Sequence, residues 1–167
     1  MEIPKELSPC VKKALSRLSR GDMTCGEMFS YLTDPKRPYT AFSQEVAERT
    51  VALLKAEGFL DDKRYLRLAV QRLDAKLLGP RRIREELTRH LFPPSYVAAA
   101  CERKVDYARR GEKLLGKKAG AKALAETPEG RNKLVSALVR QGYDFATARS
   151  AVRAFSRVED DFSEESE

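Results

Sequence analysis

Two adjacent carboxylates, Asp61 and Asp62, are the sharpest candidates for chemistry in this sequence. Paired carboxylates can hold a metal or divide acid and base roles between them. Here they follow Gly58-Phe59-Leu60 and open an amphipathic segment, "KRYLRLAVQRL". An Asp at a helix start accepts backbone N–H bonds and suits the helix dipole, so the position predicts an N-cap instead of an acid/base pair. Gly58 is predicted to be the left-handed C-cap of the preceding helix "VALLKAEG". The single histidine, His90, lies beside Arg89 and Glu86 and is predicted to be a surface residue. A hydrolase would need it next to a nucleophile. Cys10, Cys25 and Cys101 match neither a zinc site nor a redox pair and read as reduced structural thiols. With no Gly-rich phosphate loop and no metal-ligand cluster in the sequence, no enzymatic activity, cofactor or metal is expected.

Charge points to a different kind of chemistry. The chain of 167 residues carries +7, yet its last ten residues, "VEDDFSEESE", hold six acids and no base. Residues 1–157 therefore carry +13, a balance that favours polyanions such as nucleic acid. Two stretches concentrate it. Residues 63–91 contain nine Lys or Arg against three acids, and residues 103–122 contain eight against two. Arg89 has Glu85 four residues before it, which makes it a solvated ion-pair residue. The stretch "GKKAGAKALAE" reads as a flexible basic loop carrying Lys117 and Lys118. No run approaches the eighteen or so apolar residues of a membrane span, and the N-terminus lacks the apolar core of a signal peptide. A cytoplasmic protein without membrane contact is expected.

The elements that position these charges are helices. Ala, Leu, Lys, Arg and Glu dominate, and alternating β-branched runs are missing. Leu66, Ala69, Val70, Leu73 and Leu77 fall within about 80° on a helical wheel, with Arg64, Arg67 and Gln71 opposite. An internal repeat organises the chain. "GEMFSYL" (26–32), "RRIREEL" (81–87) and "RNKLVSAL" (131–138) each place an apolar residue four before a leucine. The pairs are Met28–Leu32, Ile83–Leu87 and Leu134–Leu138. A further helix face begins ten residues after the second and third leucines, at Val97 and Ala148. Phe92 and Tyr143 share one offset before it. The first copy reaches its counterpart at Val46 after a four-residue insertion that holds a Pro-rich loop. Leading helices are predicted over 8–19, 62–77 and 106–118. The expected fold is all-α: three tandem three-helix repeats, 1–60, 61–105 and 106–157, forming an elongated, curved protein with an acidic tail at 158–167.

The segment "LLGPRRIREELTRH" (77–90) carries an electrostatic oddity. Gly79 and Pro80 read as turn and first helical position. Arg81 and Arg82 then stand at a helix N-terminus, where cations are disfavoured. Either can pair with Glu85 or Glu86, in the poorer order for a helix, and Arg84 has no helical partner. An anion placed there would gain from free N–H groups, the dipole and the guanidinium forks together.

The stretch "GFLDDKRYLRLAVQRLDAKLLGPRRIREEL" (58–87) closely resembles the RecX family of recombinase regulators. Gly58, Leu60, Asp61, Asp62, Tyr65, Arg72, Gly79, Pro80, Arg82, Ile83 and Leu87 carry the match. "LSRGDMTCGEMFSYL" (18–32) resembles a second, weaker family pattern through Arg20, Thr24 and Glu27. The resemblance covers about residues 10–157. The loop at 33–42 is longer and richer in proline than the family pattern, and the acidic tail lies outside it. The resemblance implies tandem three-helix repeats, binding to the filament that RecA recombinase forms on single-stranded DNA, and modulation of that filament. Inhibition of ATP hydrolysis, strand exchange or filament growth is the implied effect. The partners expected are thus the RecA filament and, weakly and without sequence preference, the single-stranded DNA backbone. A monomer without catalytic chemistry is expected.

The residues expected to make filament or DNA contact are Arg64, Arg67, Arg72, Arg81, Arg82, Arg84, Lys117 and Lys118. Tyr39 and Phe42 are the aromatics expected to be exposed, while Phe92, Tyr96, Tyr143, Phe145 and Phe155 are expected to pack. The alternative reading of basic three-helix units is a helix-turn-helix transcription regulator, which would show a sharp preference for one DNA site. A helical-repeat adaptor with no nucleic-acid role is the third.

Overall fold

Several helices in this protein begin where a short polar side chain takes up an otherwise unpaired N–H group. Thr24 accepts from the Glu27 amide at 3.0 Å, Asp61 from Arg64 at 2.9 Å, Asp106 from Arg109 at 2.9 Å, Thr127 from Gly130 at 3.0 Å and Asp144 from Thr147 at 2.9 Å. The computed structural model of the chain describes residues 3–36 and 41–163, with side chains up to Arg157. Ten α-helices follow one another among the described residues, with no strand: α1 Ser8–Leu18, α2 Cys25–Thr33, α3 Gln44–Ala56, α4 Asp62–Ala75, α5 Pro80–Arg89, α6 Pro94–Cys101, α7 Tyr107–Gly116, α8 Ala121–Ala125, α9 Pro128–Arg140 and α10 Phe145–Ser163. A short 3₁₀ turn, Lys5–Leu7, leads into α1. No described helix is long and apolar enough to cross a membrane.

The leading helices fall where periodicity predicts them, at α1, α4 and α7. Two details differ. The stretch expected to be a loop after Lys118 contains α8, because Ala121 and Ala125 are buried in the local core and hold one helical turn in place. α4 stops at Ala75 instead of reaching residue 77, because Leu77 takes a left-handed φ of 56° that buries its side chain.

The chain divides into two compact units. The first comprises Met1–Ala69 and Glu86–Ala98. Its core gathers Cys10, Val11 and Ala14 of α1, Met28 and Leu32 of α2, Ala47 and Leu54 of α3, and Leu60. The wheel stripe of α2 is thus inward, as Met28–Leu32 requires. Gly58 ends α3 with φ 74°, and the Phe59 and Leu60 amides donate back to the Leu54 carbonyl at 2.9 and 3.2 Å. Phe42 is half-buried against this core, its amide donating to the Leu32 carbonyl at 2.9 Å. It is therefore a packing residue, contrary to the exposed role expected for it. Phe92 and Tyr143 make the same bond to Leu87 and Leu138 at 3.4 and 3.2 Å, so Phe42 shares their local arrangement. Tyr39 lies outside the described residues.

The second unit comprises Val70–Glu85 and Ala99–Glu167. Leu115, Leu134, Val135, Leu138, Tyr143, Ala148, Ala151, Val152 and Phe155 form its core. Tyr143 is 1% exposed and donates its hydroxyl to the Leu77 carbonyl at 2.6 Å, which holds the left-handed turn after α4. Burial pushes the Tyr143 hydroxyl up to about 12 from its ordinary 10.0. A raised folded-state value means that this stabilisation is complete below pH 10 and is lost as the pH rises from 10 towards 12. Tyr143→Phe is expected to cost about 1–2 kcal/mol at pH 7, since it leaves the Leu77 carbonyl unpaired, and to remove this alkaline loss. Thermal melts of both proteins between neutral and alkaline pH check it.

Candidate functional site

The diagnostic arginines sit on a helix start that is already occupied. The Gly79 amide donates to the Gln141 carbonyl at 2.9 Å and the Arg81 amide to the Gly142 carbonyl at 3.1 Å. Pro80 has no N–H to offer. The start of α5 therefore meets the end of α9, positive dipole end to negative. The Arg81 guanidinium extends the join, its Nη2 donating to the Val139 carbonyl at 3.3 Å. Two of the N–H groups expected to receive an anion here, those of Gly79 and Arg81, are taken up by that turn. Arg81 is thus a cation at a helix C-terminus as much as at an N-terminus, which resolves the electrostatic oddity of the sequence.

A like join lies inside the first unit. Thr24 caps α2, and its hydroxyl donates to the His90 carbonyl at 2.7 Å at the end of α5. Glu27 completes a capping box, with Oε2 accepting from the Thr24 amide at 3.0 Å and Oε1 lying 2.7 Å from His90 Nδ1. The weaker family pattern around Thr24 and Glu27 is thus a helix start built to receive another helix end. Asp61 caps its own helix as expected. Asp62 does not: its Oδ1 accepts from the Cys25 amide at 2.8 Å and serves α2. The carboxylate pair is structural, and no group of three or more metal-ligating side chains occurs among the described residues.

Of the residues expected to make contacts, Arg64 and Arg67 belong to the first unit and the other six to the second. Arg64 is exposed, 3.6 Å from the Asp22 carboxylate. Arg67 and Arg72 point to solvent. Arg81 and Arg82 converge on Glu85 at 3.8 and 3.3 Å. Exposed pairs of this kind contribute only a few tenths of a kcal/mol each. Arg84 is exposed and makes no ion pair among the described residues. Lys117 and Lys118 are exposed after α7 and border a groove of about 220 Å³ shared with Leu114, Ala137 and Gln141. Gln141 is the residue whose carbonyl holds Gly79, so the lysines and the start of α5 flank one helix end.

Two basic residues counted in the 103–122 cluster are internal. Arg103 grips Asp74 through both Nη atoms at 2.8 and 3.2 Å, and Arg110 reaches it at 3.0 Å. Burial pushes the Asp74 carboxyl up, but the Arg103 hydrogen bonds and the Arg110 charge outweigh it and hold the group below its ordinary value.

The sequence reading also missed Phe145 and three arginines of α10. Phe145 is 63% exposed instead of packed. Arg149, Arg153 and Arg157 line a groove against α9. The signal was present: residues 145–158, "FATARSAVRAFSRV", contain three arginines at four-residue spacing and no acid.

No family model matches the chain. It is 27% identical over 150 residues to the regulatory protein RecX of Xanthomonas oryzae pv. oryzae, covering 89% of both chains. It is 28% identical over 151 residues to the regulatory protein RecX of Stenotrophomonas maltophilia, covering 90% of this chain and 88% of that one. Among solved structures, RecX from Lactobacillus salivarius superposes with a TM-score of 0.75 at 17% identity, covering 93% of this chain and 99% of the other. That likeness shows the fold. The resemblance carried by residues 58–87 therefore extends, by sequence and by fold, along about nine-tenths of the chain: it is similar throughout to regulatory proteins named RecX.

Proposed function

We propose that this protein regulates the RecA recombinase filament on single-stranded DNA, and that it inhibits ATP hydrolysis, strand exchange or filament growth. The observation that carries the reading is the agreement with RecX proteins over 89% of the chain. The exposed basic residues Arg64, Arg67, Arg72, Arg84, Lys117 and Lys118, with the engaged Arg81 and the partly exposed Arg82, support it. Phosphate oxygens or recombinase carboxylates are the chemistry they suit. The protein acts as a cytoplasmic monomer built of repeats 1–60, 61–105 and 106–157, and its DNA contact is weak, salt-dependent and indifferent to sequence.

The test is recombinase ATPase and strand exchange on single-stranded DNA with substoichiometric amounts of this protein. Inhibition is expected, and no effect across the titration overturns the reading. The Arg82→Glu/Arg84→Glu variant is expected to need at least about ten times more protein for the same inhibition, since two cations become anions. A folded variant that inhibits like wild type removes these arginines from the interface.

A further inference from the structure

The α9–α10 face of the second unit holds an arginine row, without an ion pair among the described side chains, that the family motifs do not include. A groove of about 370 Å³ runs between the two helices, with Arg131 and Asn132 on one wall and Arg149, Arg153, Ser156 and Arg157 on the other. Among the described side chains, no carboxylate lines it. Arg131 is committed to the fold, its Nη1 donating to the Ala125 carbonyl at 2.8 Å. Arg149, Arg153 and Arg157 are exposed and make no ion pair among the described side chains. They recur every four residues, so they climb α10 in steps of about 6 Å and drift slowly round it. Three like charges on one helix face repel each other and weaken the helix. Folding gains nothing from that arrangement.

A second observation extends the row. Phe145 stands one step below Arg149 on the same helix and is 63% exposed, the largest exposure among the large apolar side chains described. The Arg149 guanidinium lies 5.8 Å from its ring centroid. An exposed aromatic ring leading into a line of guanidinium groups is the arrangement that binds single-stranded nucleic acid: bases stack on the ring and phosphates follow the cations. An acidic protein surface would use the arginines but not the bare ring. A duplex would use the cations but keep its bases stacked on each other.

We infer that Phe145, Arg149, Arg153 and Arg157 form a binding row for single-stranded nucleic acid, with the phosphate backbone along the α9–α10 groove. The inference deepens the DNA contact in the function proposed above and rests on it, but moves it to residues outside the central motif. Arginine suits the role because its planar fork grips phosphate oxygens in pairs.

Fluorescence anisotropy of a labelled oligothymidylate about 20 nucleotides long, with the full chain as titrant, tests it. At low salt the wild type is expected to bind. Arg149→Ala/Arg153→Ala/Arg157→Ala should raise Kd at least tenfold and lower the slope of log affinity against log salt by about 2, the loss of three single-strand phosphate contacts. Phe145→Ala should raise Kd about five-fold or more with the slope unchanged. All four residues are exposed, so the variants should keep the wild-type melting curve. If the arginine variant binds like wild type, the groove is wrong; recombinase inhibition by the same variant shows whether the regulatory reading survives. A wild-type Kd for Phe145→Ala, or equal loss of polyglutamate binding in the arginine variant, also overturns the single-strand assignment. If the wild type binds no oligothymidylate, both the row and the DNA contact of the proposed function fall.

Discussion

Gly142→Ala is expected to destabilise the second unit by about 3 kcal/mol or more. Three costs combine. Gly142 has φ 92°, a conformation that costs an L residue about 1–2 kcal/mol. Its new Cβ would overlap the Arg82 backbone nitrogen and Cβ, neither of which can swing aside. Parting the two backbones would then break the Gly79–Gln141 and Arg81–Gly142 hydrogen bonds, each a net contribution of about 1 kcal/mol. Gly79→Ala should behave alike, because its Cβ would fall on Gly142 and Tyr143 backbone atoms. Gly116→Ala is the contrast: a Cβ there meets nothing within 4 Å, and stability should be unchanged or slightly raised. Urea unfolding followed by helical circular dichroism measures all three. A cost below about 1 kcal/mol for Gly142→Ala would show that the join can open without loss.

Asp74→Ala comes second, at about 2 kcal/mol. The carboxylate satisfies Arg103 and Arg110 together, and Arg110 is only 12% exposed. Removing the anion leaves that guanidinium largely desolvated, held by the Leu78 carbonyl at 3.2 Å and by the Tyr107 ring 5.0 Å away. Fully buried pairs cost about 3–5 kcal/mol when broken, and the 29% exposure of Asp74 reduces that. The pH dependence follows from the lowered carboxyl value. Its stabilisation is complete above the unfolded value of 3.8 and is lost as the pH falls through the lower folded one. Acid unfolding of wild type should therefore be steeper below about pH 4 than that of Asp74→Ala. Identical acid profiles would mean that the arginines are solvated in solution and the triad contributes nothing.

Both predictions concern contacts of high sequence separation, and these divide what was legible from what was not. Local signals were read correctly. Asp61 as a cap, Gly58 as a left-handed terminus and Ile83 and Leu87 as inward positions follow from chemistry within one helical turn. The ambiguous residues were those whose partner lay far along the chain. Asp62 looked like the twin of Asp61, yet its acceptor role is to α2, 37 residues away. Phe42 looked like a loop aromatic because the Pro-rich insertion hid the local arrangement it shares with Phe92 and Tyr143. Phe145 looked like core because its neighbours in the pattern are core, but it is the first residue of α10 and faces water.

The sequence by itself determined the helical class, the Asp61 and Gly58 caps, the repeated Met28–Leu32, Ile83–Leu87 and Leu134–Leu138 stripes, and the resemblance to RecX. Each depends on residues within about four positions of one another, where periodicity and capping chemistry act directly. Only the tertiary structure decided which charges are spent and which are free. Arg81 is drawn to the end of α9, Arg103 and Arg110 are drawn to Asp74, and Arg84 and the α10 row are left to solvent. A charge count cannot separate them, because a guanidinium group reaches its partner through space and not through sequence. The +13 of residues 1–157 is therefore an upper bound on what a polyanion meets.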